Sequence, residues 1–163
     1  MSVREVCVYP DPVLREPTEE ITSFGEELLE LVADLWETMH VSDGIGLAGP
    51  QVGIPQKIAV IDYNGEKFVL INPVIMEREG SKTVEEGCLS FPGIYEKVDS
   101  PELIRVCWQN EKGGFEERVI EGFLACVFSH EIDHLNGRLL IDRVSPLKRQ
   151  FLKKKLAKQA KEK

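Results

Sequence analysis

Two histidines four residues apart bracket a glutamate in the stretch His130-Glu131-Ile132-Asp133-His134, and this spacing constrains the chain more than any other feature. On a helix, residues four apart share a face, so both imidazoles reach one point and Glu131 stays close to it. Imidazoles so placed hold a divalent metal, and the adjacent carboxylate exchanges a proton with the metal's water. Two of only three histidines fall here, on a segment whose other positions (Leu124, Val127, Phe128, Leu135) are apolar at helical spacing. A surface helix would not be patterned this way. The fold must therefore bury this helix and bring a third ligand to it.

Catalytic sites of this kind use three protein ligands and leave one position open. The remaining histidine, His40, lies far upstream, and the downstream acids (Asp142, Glu162) sit on no recognisable ligand-bearing segment. A thiolate is the alternative. In Glu86-Gly87-Cys88-Leu89-Ser90 the glycine allows close backbone approach, and a bound metal ionises the cysteine. Cys88, His130 and His134 are thus the candidate ligands, with Glu131 as the acid–base group. Cys7, Cys107 and Cys126 lack paired spacing and read as small buried residues, not a disulfide framework.

Elsewhere the pattern predicts one α+β domain of antiparallel β-hairpins packed around a central metal-binding helix. Ser23-x-x-Glu26 reads as a capping box opening a first helix through Leu28, Leu31, Val32, Leu35 and Met39, stopped by Asp43-Gly44. Ile58–Ile61 and Phe68–Ile71 flank Asn64-Gly65, a strong hairpin signal. Leu103–Gln109 and Glu116–Glu121 form a second hairpin about Lys112-Gly113-Gly114. Gly122–Leu135 is the central helix with Gly137 just beyond it, and Ser145-Pro146 opens a C-terminal helix. Residues 1–147 form the catalytic part, and 148–163 a basic helix of the same single domain. Trp36 and Trp108 belong to the core. With 42% hydrophobic and 29% charged residues, no apolar run long enough for a bilayer, and Arg4-Glu5 where a secretory signal would be apolar, the expected location is the cytoplasm.

Three segments in this order, GIGLAGPQ (44–51), EGCLS (86–90) and HEIDH (130–134), resemble the peptide deformylase family, and the order of helix and hairpins agrees over nearly the whole chain. The resemblance implies hydrolysis of the formyl group from N-formylmethionyl peptides and nascent chains, releasing formate. It implies Cys88, His130 and His134 as metal ligands and Glu131 as acid–base residue. Gln51 and the backbone N–H of Leu89 are then the groups that bind the developing oxyanion, and Gly46 marks where the substrate backbone docks. One divalent ion is implied, ferrous iron in the cell, with zinc, nickel or cobalt able to replace it. The sequence departs from the usual pattern at Gly49, where Ala is commoner, and at Ser129, where Gln is commoner. Cys126 and Val127, four and three residues before His130, either line the pocket for the methionine side chain or serve ordinary core packing.

Two other readings fit less. A general zinc endopeptidase leaves EGCLS and GLAGPQ unexplained, and a structural metal site needs a fourth protein ligand that the sequence does not offer. The charge distribution suggests a further partner. Residues 148–163 carry eight Lys/Arg and one Glu, a sum of +7, against −15 for the other 147 residues. Leu147, Phe151, Leu152 and Leu156 read as an inner apolar stripe of this helix. Lys153, Lys154, Lys155 and Lys158 are then free either to dock a monomeric enzyme on the ribosome or simply to be solvated.

Overall fold

The computed structural model describes residues 2–161. It is an α+β fold with three α-helices and two antiparallel sheets. Helix α1 (Glu26–Val41) buries Leu28, Leu31, Val32, Leu35 and Met39, as their spacing predicts. It starts three residues after Ser23, with Gly25 at its cap and no side-chain capping bond, so the expected capping box does not form. The reason is Phe24, which packs against the first core and against Gly113 and so delays the helix. Glu26 and Glu27 in the first turn favour the positive end of the helix dipole. Asp43, in the left-handed region at φ 58°, turns the chain out of the helix.

Strand β1 (Gly46–Ala48) follows directly. β2 (Ile58–Tyr63) and β3 (Glu66–Glu79) pair across Asn64 and Gly65, both at positive φ, which is the two-residue turn that sequence demands. β3 is far longer than the returning strand read from Phe68–Ile71. It continues through register shifts beyond Ile71, where Asn72 adopts φ 51°. The Asn72 side chain replaces missing ladder bonds: it accepts from Ile21 N (2.9 Å) and donates to Ile21 O (2.8 Å) and Gln109 Oε1 (2.9 Å). β6 (Leu103–Gln109) and β7 (Phe115–Glu121) complete a sheet of order β1-β2-β3-β6-β7. A second sheet, β4 (Lys82–Cys88) with β5 (Phe91–Ser100), has no counterpart in the sequence reading. Charged residues at six of its 17 positions, together with Gly87, Pro92 and Gly93, hide the alternation.

Helix α2 (Phe123–Leu135) lies against the five-stranded sheet. Ala125, Val127, Phe128 and Ile132 pack on Ile61, Phe68, Leu70, Val106, Trp108 and Ile120. The Phe68 and Phe128 rings meet edge to face, 4.9 Å between centroids. Each large side chain fully buried here contributes ~1.5–3 kcal/mol. At the end of α2, Arg138 N–H donates to Asp133 O (2.9 Å) and Gly137 N–H to His134 O (3.2 Å), with Gly137 at φ 72°. This is the glycine-closed terminus that the sequence predicts.

Helix α3 (Pro146–Lys161) opens with Ser145 Oγ accepting from Lys148 N–H (3.2 Å). Its apolar stripe divides. Leu152 and Leu156 are buried against Phe91, Ile94 and Leu139–Ile141, whereas Leu147 and Phe151 are 81% and 61% exposed. The reason is angular: at 100° per residue the 147/151 row lies more than 100° from the 152/156 row. No helix among the described residues is long and apolar enough to cross a membrane.

Candidate metal centre and active site

Three elements deliver the site. α2 supplies His130, Glu131 and His134, the end of β4 supplies Cys88, and the short 3-10 turn Gly49–Val52 supplies Gln51. One ligand atom from each of Cys88, His130 and His134 lies within 4.8 Å of the others. Cys88 Sγ is 3.3 Å from His134 Nε2, which is 3.2 Å from His130 Nε2. The three sequence-predicted ligands thus converge on one point.

The electrostatics suit a cation there. Burial, together with neighbouring His130, pushes the His134 imidazole well below its ordinary range and keeps it neutral, the form that ligates. Burial also acts to lower His130, but hydrogen bonds to Cys88 and Glu86 outweigh it and hold His130 well above its ordinary value. A thiol and two imidazoles are a donor set that iron, zinc, nickel and cobalt all accept. The residues fit the ion.

Glu131 is buried, and burial raises its carboxyl to about 7; His130 opposes the rise and Glu86 adds to it. Its Oε1 has no protein partner. Gly46 on β1 lies against this carboxylate, so that an added β-carbon would stand 2.8 Å from Glu131 Cδ. Gln51 is held at both ends. Its Oε1 accepts from Ala48 N–H (3.0 Å), and its Nε2 donates to Ser90 Oγ (3.2 Å) and lies 3.5 Å from Cys88 Sγ. Leu89 occupies the tight turn between β4 and β5, with its side chain against the α1 core. Gly49, one of the two departures, is filled by its surroundings: a β-carbon would stand 2.8 Å from Ile54 O and 3.1 Å from Gln56 O. Ser129, the other, is buried with its hydroxyl unpartnered.

The site opens on one cleft of about 370 Å³, within the usual range for a small-molecule or peptide site, which Gly49, Ser129 and His134 do not line. Gly46, Gln51, Cys88, Leu89, Cys126, Val127, His130 and Glu131 all line it. Sequence reasoning missed Ile45, Tyr95 and Phe123 on its walls, and it missed the contacts of Glu86. Glu86 Oε1 accepts from His130 Nδ1 (3.0 Å) and from Arg143 Nη1 (2.8 Å). Glu86 stood in the EGCLS segment and could have been flagged there; Arg143, 57 residues away, carried no signal. His40 pairs with Asp62 (2.9 Å) and takes no part in the cleft. All four cysteines are free.

The polypeptide deformylase family model matches residues 3–150. The peptide deformylase of Acidobacterium capsulatum is 48% identical over 163 residues, covering 97% of this chain and 96% of its own length. That of Thermotoga petrophila is 47% identical over 152 residues, 93% of each chain. Among solved structures, a peptide deformylase from Legionella pneumophila superposes with a TM-score of 0.93 at 40% identity, covering 98% of this chain and 96% of that one. The peptide deformylase of Thermotoga maritima gives 0.87 at 44% identity, covering 90% and 100%. Sequence, fold and the convergent cluster agree: the chain belongs to the polypeptide deformylase family.

Proposed function

We propose that Cys88, His130 and His134 hold one divalent ion and that Glu131 carries the proton in the reaction of this family. That reaction is removal of the N-formyl group from the formylmethionine that begins new polypeptides, releasing formate. The observation that carries the assignment is the convergence of the three ligand atoms beside a buried carboxylate with a free oxygen. When bound, the ion supplies Lewis acidity and a water whose pKa is brought near neutrality. Glu131 takes a proton as the formyl carbon is attacked and returns it to the departing amine, for which an unpartnered Oε1 at the cleft is suited. The fixed Gln51 amide and the Leu89 N–H bind the developing oxyanion; a preorganised donor of this kind lowers the barrier by roughly 3 kcal/mol. Gly46 offers bare backbone for an extended substrate to pair with. Cys126 and Val127 face the methionine side chain. Formate release from a formyl-Met dipeptide, with casein as contrast, tests the reading. Casein cleavage with no formate released would contradict it.

The ion in the cell is ferrous iron on this reading, replaceable by zinc, nickel or cobalt. Air should inactivate iron-loaded protein and spare nickel-loaded protein, and mass spectrometry of the Cys88 peptide separates metal loss from thiol oxidation. The enzyme works as a monomer in the cytoplasm, where formylated chains emerge. Residues 1–147 are its catalytic part, and the basic segment 148–163, within the same domain, docks on the ribosome; its last two residues lie outside the described ones, and α3 is described to Lys161. Support for docking comes from the outer face of α3, where Lys153, Lys154, Lys155 and Lys158 are exposed together with Leu147 and Phe151. Co-sedimentation with ribosomes at low salt, comparing the full chain with one ending at Gln150, tests docking. Undiminished pelleting of the shortened chain would contradict it.

A further inference from the structure

We propose that Arg143 is a positioning residue for the metal centre, acting through Glu86 on His130. The proposal rests on the reading of His130 as a metal ligand. Glu86 is on β4, two residues before Cys88, and its side chain is only 7% exposed. Its Oε1 takes the hydrogen bond of His130 Nδ1 at 3.0 Å. That bond fixes the imidazole tautomer and leaves Nε2 facing Cys88 and His134.

A carboxylate this deeply buried needs a compensating charge to stay ionised and in place. Arg143 provides it from the 3-10 turn Leu140–Arg143 that follows α2. Its guanidinium is 10% exposed; Nη1 donates to Glu86 Oε1 at 2.8 Å, and Nη2 donates to Asp99 O of β5 at 2.7 Å. Two donors on two fixed acceptors set the plane of the guanidinium, a geometry that a lysine cannot reproduce. The turn that carries Arg143 is itself anchored, by Arg149 Nε on Ile141 O (3.1 Å) and by the Arg15–Asp142 ion pair. Without Arg143, Glu86 is left buried beside a single imidazole and the orientation of His130 loosens.

The test is the affinity for Co²⁺, by competition with a chelator, together with the cobalt absorption spectrum, in wild type and in Arg143→Met, Arg143→Lys, Glu86→Gln and His130→Ala. Partners of ligating histidines typically contribute ten- to a hundred-fold in metal affinity. Arg143→Met should lose on that scale and alter the cobalt bands, with Arg143→Lys recovering part of the loss and Glu86→Gln resembling Arg143→Met. Should Arg143→Met fail to fold, Arg143→Lys and Glu86→Gln carry the same comparison. Wild-type affinity and an unchanged spectrum in the Arg143 and Glu86 variants, with His130→Ala losing the ion, would overturn the positioning role alone. Retention of the ion by His130→Ala would overturn the ligand assignment and this proposal with it.

Discussion

Gly46 leaves no space between its backbone and the Glu131 side chain: a β-carbon there would lie 2.8 Å from Glu131 Cδ and 2.9 Å from Cγ. The bare backbone of β1 thus defines where the carboxylate rests.

Gly46→Ala should displace the Glu131 carboxylate and lower kcat about ten-fold or more, because small misplacements of a catalytic group are costly. Metal content should be unchanged, since no ligand moves. Steady-state kinetics with metal analysis checks this; wild-type kcat would show that Glu131 need not rest where it does.

Gly49→Ala should destabilise the fold by about 1–3 kcal/mol. The new methyl meets backbone oxygens of Ile54 and Gln56, which yield less easily than side chains. A fall in Tm of several degrees is expected. An unchanged Tm would mean that the 49–56 segment adjusts freely.

These glycines show what the sequence made legible and what it did not. The helix carrying His130 and His134, the Asn64-Gly65 turn and the Gly137 terminus were readable because each rests on local chemistry: periodicity, positive φ, capping. The β4–β5 pair was not, since its charged residues mask the alternation of a strand half buried against other parts of the chain. Ser23 met every local condition for a cap and lost to Phe24, whose packing is tertiary. The exposed row of α3 was misplaced by reading four apolar residues as one stripe when their angles make two. Glu86 and Arg143 meet only in the folded chain.

Stability should fall in acid partly through Asp34 and Asp142. Asp34 is held below the usual carboxylate range by the Ser2 N–H bond (2.7 Å), against burial, with help from Arg4. Burial acts to raise Asp142, but the Arg15 and Leu139 hydrogen bonds outweigh it. A carboxylate more acidic in the folded state stabilises fully above its unfolded pKa, roughly 3.9, and loses that contribution as pH drops through the folded value. Asp34→Asn should therefore lower Tm at pH 6 and converge toward wild type as pH falls through the folded value of Asp34. Parallel Tm curves across that range would contradict the assignment.

The central claim, one ion held by Cys88, His130 and His134 with Glu131 moving the proton, is tested most directly by measuring bound metal and formate release together in Glu131→Ala and Cys88→Ala. Glu131→Ala should retain one ion per chain and lose ~10²–10⁴ in kcat, whereas Cys88→Ala should lose both metal affinity and activity. Wild-type metal content in Cys88→Ala, or more than about a tenth of wild-type kcat in Glu131→Ala, would contradict it.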